Sequence, residues 1–254
     1  MLNTLVTGAQ TQHPPLLIAH GLFGSARNWG VIAKRLSDTR QVLTVDMRNH
    51  GDSPWHDSHR YPDLAADLAE VIAAHGGQAD VLGHSMGGKA AMVLALEHPE
   101  TVRRLTVADI APVAYGHSQR PLIEAMRAVD LSSIDSRSDA EAQLAETIDD
   151  RGVRAFLLQS LDPKEKCWRF NLDALDAEMD HITGWPEISG QADTPTLFLS
   201  GAESDYVGPE HRDRIKGYFP NARFAKIPGA GHWLHAEKPR EFEAAMRSWL
   251  DAEA

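Results

Sequence analysis

The segment Gly83-His84-Ser85-Met86-Gly87 decides how this chain is read. It follows the apolar run Ala79, Val81, Leu82 and opens an Ala/Leu-rich stretch that ends near His98-Pro99. That order spells strand, tight turn, helix. In the pattern G-x-S-x-G, small residues flank a serine held on a strained turn, so that its hydroxyl projects above the edge of a sheet. A side chain at Gly83 or Gly87 is expected to collide with the neighbouring strand or helix, and the glycines are expected to supply dihedrals that other residues adopt only at a cost. Gly83 to Lys89 also spells G-x-x-x-x-G-K, one residue short of a phosphate-binding loop. Such a loop needs Ser or Thr after the lysine to ligate Mg²⁺, and Ala90 stands there, so nucleotide binding is set aside.

Working outward, Leu16 to Ala19 is a short apolar run bounded by Pro14-Pro15 and His20-Gly21, the mark of a fully buried strand. Val31, Ile32 and Leu36 indicate a helix ending near Asp38, and Val42 to Asp46 a second buried strand that runs into a polar turn cluster from Met47 to Pro54. From Tyr61, the spacing Leu64, Leu68, Val71, Ile72 is helical, with Pro62 in the first turn and Gly76-Gly77 closing the end. Leu105 to Asp109 is the strand after the elbow helix. Alternation of this kind demands parallel strands with helices on both faces.

The alternation stops after Pro112 and resumes only at Thr196-Leu197-Phe198-Leu199, an interval far longer than the few residues of an ordinary connection. An inserted helical cap is expected there. Ala140, Leu144 and Ile148 form one apolar face, Val153, Phe156, Leu157 and Leu158 another, and Trp168, Phe170 and Trp185 are candidates for a pocket mouth or for core packing. Thr196 to Gly201 then reads as a strand, Glu210 to Tyr218 as a helix, Ala222 to Ile227 as a strand, and Phe242, Met246, Trp249, Leu250 as a closing helix. The expected fold class is α/β. Residues 1–111 and 194–254 make a core with a mostly parallel sheet, and 112–193 a helical cap or lid inserted before the penultimate strand.

Composition narrows the partners. A formal charge of −11 over 254 residues opposes binding to nucleic acid and to anionic membrane surfaces. The single cysteine, Cys167, excludes an internal disulfide and any multi-cysteine metal site, which suits a reducing compartment. Met1 to Val6 lacks a basic start and a long apolar core and reads as a first strand. With no apolar run long enough to span a membrane, a cytoplasmic protein is expected. Oligomeric state is not legible.

A serine hydroxyl becomes a nucleophile when a base takes its proton and an acid fixes the base in one tautomer. Among thirteen histidines, His232 stands out, in Gly229-Ala230-Gly231-His232-Trp233 directly after the last strand. It follows both the serine and the candidate acids, the chain order of serine hydrolases built on such sheets. Two acids compete: Asp109, ending the strand after the elbow helix, and Asp205, following the strand that ends at Gly201. Met86, the residue after the serine, is positioned to give one backbone N–H to an oxyanion. His232 and His235, with Glu237 as the nearest acid, form only a weak zinc pattern, and no metal is expected. Trp233 beside the base is expected to pack against the acyl pocket.

The segments His20-Gly21-Leu22-Phe23-Gly24, Asp46-Met47-Arg48-Asn49-His50-Gly51, Gly83 to Lys89, Asp109-Ile110-Ala111-Pro112 and Gly229 to His235 together resemble the α/β-hydrolase superfamily. More narrowly, they resemble its small bacterial acyl-ester hydrolases related to mammalian abhydrolase-domain protein eleven. The superfamily's usual acid position is occupied here by Ser204, with Asp205 displaced by one. In the narrower family the aspartate of a D-I-A-P-like segment takes that role, so the resemblance favours Asp109. It also implies Leu22 as the second oxyanion donor, with Phe23 beside it in the pocket, and makes His20, Arg48, Asn49 and His50 loop scaffolding. The implied enzyme is a serine esterase or thioesterase that needs no cofactor and cleaves small acyl esters or thioesters of short to medium chain through an acyl-enzyme. Carbon–carbon hydrolases, lyases and perhydrolases share the fold and triad, and a non-catalytic binding protein is the remote alternative. A dehalogenase would carry aspartate in place of Ser85.

Overall fold

The computed structural model describes residues 1–252. Among the described residues there are nine strands: β1 Thr4–Thr7, β2 Leu16–Ala19, β3 Val42–Val45, β4 Ala79–His84, β5 Val102–Ala108, β6 Leu161–Asp162, β7 Cys167–Trp168, β8 Thr196–Gly201 and β9 Arg223–Ile227. Seven of them form one sheet in the order β1-β3-β2-β4-β5-β8-β9. Only β1 is antiparallel to its neighbour. The continuous apolar runs read as buried strands, β2, β3 and β8 among them, are buried along their whole length. Helices cover both faces, which is why these strands carry no polar alternation.

The helices form where the apolar spacing places them. Tyr61–Ala74 buries Leu64, Leu68, Val71 and Ile72 with Pro62 at its start, and Pro239–Leu250 buries Phe242, Met246, Trp249 and Leu250. In the helix Gly30–Leu36 the buried face is Ile32, Ala33 and Leu36, while Val31, expected on that face, is 60% exposed. Parallel register aligns the C-terminal ends: Ala19 pairs with Gly83, Gly83 with Val107, Val107 with Phe198 and Leu199 with Ala225. The loops after β2, β4, β5, β8 and β9 therefore open at one edge of the sheet, where ligands of open α/β sheets bind.

Between β5 and β8 the chain leaves the sheet through helices Arg120–Ala128, Arg137–Leu144, Arg151–Leu158, Leu172–Ala177 and Met179–Thr183. It also contains the β6–β7 hairpin, which the apolar spacing did not announce. Its backbone is stitched to the loop after β3: Gly51 N–H donates to Arg169 O, and Asn171 N–H to Asn49 O. One apolar cluster runs from Leu17 and Met86 through Leu157 and Leu175, so this segment shares its core with the sheet. Among the described residues no helix is long and apolar enough to cross a membrane.

Candidate active site

Ser85 sits between β4 and the helix Met86–Glu97 with φ 53° and ψ −121°. The unusual dihedrals belong to the serine itself. Gly83 and Gly87 do not have positive φ, so the expectation that they supply the turn's dihedrals is corrected. Their role is contact: a Cβ on Gly83 would lie 2.2 Å from Gly87 O, and one on Gly87 2.4 Å from Ala19 O. The strained serine is held from below by its N–H bond to Ala108 O (3.0 Å).

His232 is delivered by the loop after β9 and Asp109 by the end of β5. Ser85 Oγ lies 3.1 Å from His232 Nε2, and His232 Nδ1 lies 2.7 Å from Asp109 Oδ2. Asp109 is fully buried with φ 54°. Its Oδ1 accepts from Gly201 N–H (3.1 Å), and its Oδ2 also accepts from the Ser204 hydroxyl. The serine at the superfamily's usual acid position thus bonds to the aspartate of the preceding strand. Asp205 is exposed and takes part in no side-chain hydrogen bond or ion pair among the described residues.

Phe23 has φ 60°, and its N–H donates to His50 Nε2 (3.1 Å). The N–H groups of Leu22 and Met86 take part in no hydrogen bond among the described residues, and both residues line the cavity above Ser85. Backbone donors left unpaired at a pocket wall suit an anionic oxygen.

Histidines pack the loops around these groups, and their bonds fix their tautomers. His20 Nε2 accepts from Met47 N–H (2.9 Å), so Nδ1 carries the proton and donates to Gly21 O. His50, accepting from Phe23, donates from Nδ1 to Arg48 O (2.9 Å). His59 accepts from Asn49 and directs Nε2 at Met86 Sδ (3.2 Å), which holds the side chain beside Ser85. Burial, followed by neighbouring positive groups, pushes the pKa of His59 down to about 3. It lowers those of His20 and His50 too. Arg48 is anchored to Asp67. These residues build the loops behind the pocket.

His84 donates from Nε2 to His232 O (2.8 Å), tying the backbone of the two loops together. Burial, then His232 and His235, hold it well below the usual histidine range. His235 stacks on Trp29 (centroids 4.0 Å apart), and burial pushes it down to about 3. Glu237, weighed above as a metal ligand, accepts instead from Gly231 N–H (2.7 Å) and Trp233 N–H (3.2 Å), shaping the turn that carries His232.

A cavity of about 330 Å³ lies over Ser85. Leu22, Phe23, Ile110, Leu122, Val153 and Phe156 give it an apolar wall, and Trp233 tilts against Phe156 at its edge (5.6 Å). Trp168, Phe170 and Trp185 do not line it. Trp168 donates its indole N–H to Met126 O, Phe170 packs on Phe23, and Trp185 on Tyr218, so all three follow the core-packing alternative. Lys89, one helical turn after Ser85, is 1% exposed and bonds to the carbonyls of Thr183 and Gly184. Burial brings its pKa down to about 7. Sequence reasoning weighed Lys89 only as part of a phosphate loop and missed Tyr115 and Tyr206; their one legible signal was position in the loops after β5 and β8.

A model of the alpha/beta hydrolase fold matches residues 14–239. The chain is 41% identical over 255 residues to the esterase YbfF of Escherichia coli, covering 98% of this chain and 99% of that protein. It is also 41% identical to the sn-1-specific diacylglycerol lipase ABHD11 of Mus musculus, over 93% of this chain and 81% of that one. Among solved structures, a marine microorganism esterase superposes with a TM-score of 0.92 at 38% identity, covering 98% of this chain and all of that one. The chain belongs to the alpha/beta-hydrolase fold family. Within that family it lies on the branch that holds the bacterial esterase and ABHD11.

Proposed function

We propose that this ester hydrolase cleaves short to medium acyl esters through an acyl-enzyme on Ser85, with His232 as base and Asp109 as its orienting acid. The observation that carries the reading is the line Ser85 Oγ, His232 Nε2 and Nδ1, Asp109 Oδ2, with contacts of 3.1 and 2.7 Å. Asp109 accepts a hydrogen bond from His232 Nδ1–H, which keeps the proton on Nδ1 and leaves Nε2 bare to take the proton of the serine hydroxyl. Oγ attacks the ester carbonyl, and the resulting oxyanion binds the N–H groups of Leu22 and Met86. His232 then returns the proton to the leaving alcohol, and water repeats the sequence on the acyl-enzyme. Residues 112–193 act as the cap over this path, with Phe156 and Trp233 at its edge. The apolar wall suits an acyl chain more than a charged one. Thioesters present the same carbonyl to the same nucleophile.

The test is turnover of p-nitrophenyl esters by Ser85→Ala, together with an acyl-length series bearing ester and thioester leaving groups. Activity falling to the uncatalysed background, with stoichiometric labelling of the wild type by a serine-directed phosphonate, is expected. Normal turnover by Ser85→Ala would refute the reading.

A further inference from the structure

Tyr206 lies in the loop after β8, and its ring stacks on the imidazole of His232, with centroids 4.1 Å apart and planes 22° from parallel. The other ring close to His232 is that of His84, at 4.8 Å and tilted by 42°. The Tyr206 hydroxyl meets His117 Nε2 at 2.8 Å, and both side chains line the cavity over Ser85. The Tyr206 backbone carbonyl accepts from Tyr115 OH (2.7 Å), and the same oxygen of Tyr115 accepts from Ala111 N–H (2.9 Å), two residues beyond Asp109. One aromatic face is therefore fixed against the base by the strand end that carries the acid.

We propose that Tyr206 is a positioning residue that holds the plane of His232 and, through its π face, stabilises the imidazolium formed when His232 takes the Ser85 proton. The inference rests on the reading of His232 as the base. An aromatic face attracts a cation more than a neutral ring, so the stabilisation appears mainly once the proton has moved. The ionisable groups around His232 are few. Asp109 meets Nδ1, while His84 and His235 face it from β4 and from the helix Leu234–Glu237. Both of these histidines are held neutral by burial, so they add no repelling positive charge. Glu237 bonds to the backbone on either side of His232, while Asp109 and the Tyr206 face are the groups that meet the imidazole itself and favour the cation. Burial and then Asp109 raise the pKa of Tyr206 itself, which keeps the ring a neutral phenol.

Tyr206→Phe retains the face and loses the hydroxyl; Tyr206→Leu retains apolar cover and loses the face. NMR titration of the His232 ring, in a Ser85→Ala background, reads the imidazolium without needing turnover. The leucine variant is expected to titrate about half a pH unit lower than the parent, and the phenylalanine variant within about 0.2 units. With Ser85 restored, leucine lowers kcat about fivefold and phenylalanine less than twofold. Tyr206→Met supplies a second non-aromatic variant should leucine fold poorly. An unchanged midpoint in both non-aromatic variants overturns the proposal. So does a loss in phenylalanine equal to that in leucine, which would assign the effect to the bond with His117. If His232→Ala kept full turnover, the base reading would fail on its own, separately from the ring titration.

Discussion

Replacing Asp109 by Asn separates the two candidate acids, and the outcome follows from the three donors around the carboxylate. Oδ1 accepts from Gly201 N–H, while Oδ2 accepts from His232 Nδ1 and from Ser204. An amide has only one oxygen. Set against Gly201, it leaves the NH₂ pointing at His232, so Nδ1 must become the acceptor and the proton moves to Nε2, facing Ser85. The base is then blocked. Flipped the other way, the NH₂ meets the Gly201 N–H, two buried donors face to face at about 1–3 kcal/mol, so the blocked arrangement prevails. Asparagine tolerates the positive φ of position 109, and the variant should fold. The expected loss is about 10⁴-fold in kcat, the scale of a wrong tautomer in a serine triad, or about 5 kcal/mol. KM should hardly move. Asp205→Asn, on an exposed side chain, should stay within about twofold. Steady-state kinetics on one p-nitrophenyl ester measures both. Retention of more than about a tenth of kcat by Asp109→Asn would refute the reasoning, since a blocked base allows far less.

Gly87→Ala drives a Cβ to 2.4 Å from Ala19 O and 2.5 Å from His20 O, which a backbone cannot yield to cheaply. A loss of about 3 kcal/mol is expected in denaturant melts, and an unshifted midpoint would contradict the packing of the elbow on β2. His59 and His235 each titrate near 3 in the fold against an ordinary 6.5. The unfolded chain therefore binds more protons between those values, and stability falls with acidification by up to about 1.4 kcal/mol per pH unit for each. Urea midpoints from pH 6.5 down to 4 should show this slope, and His235→Phe, which keeps an aromatic ring on Trp29, should remove one proton's share. Lys89 adds the same sign on the alkaline side: with a folded pKa of about 7 against 10.5, the unfolded chain binds the extra proton and stability should rise with pH between those values. Lys89→Met should flatten that rise. An identical slope in wild type and variant would show that Lys89 keeps its proton in the fold.

Some of this architecture is written locally. The runs at Leu16–Ala19, Val42–Val45 and Thr196–Gly201 are too short for helices and too apolar for a surface, so burial on both faces of a parallel sheet follows from composition. Tyr61–Ala74 carries its period and its punctuation in the sequence. G-x-S-x-G is legible as a short motif although only Gly83 makes its close contact inside it, with Gly87 O, while Gly87 packs on Ala19 O at the end of β2. The segment after Pro112 is less legible. Its helices are brief and it shares its apolar cluster with the sheet, so no periodic face runs long enough to mark the helices Arg120–Ala128 and Leu172–Ala177 or the hairpin at Leu161–Asp162. Trp168 and Phe170 illustrate the limit: their aromatic bulk was visible, but which wall they fill depends on Met126 and Phe23, far along the chain.

The sequence by itself determined a mostly parallel α/β sheet, a serine on a tight turn at the end of a central strand, and a histidine late in the chain, because each rests on local periodicity or on a short glycine-bounded motif. Only the tertiary structure decided which acid meets that histidine. Parallel register brings the ends of β4, β5, β8 and β9 to one edge, so Asp109 reaches His232 Nδ1 at 2.7 Å while Asp205 turns to solvent. The same convergence lays Tyr206 on the imidazole. Contacts between loops that are adjacent in space and distant in sequence leave no periodic trace in the chain.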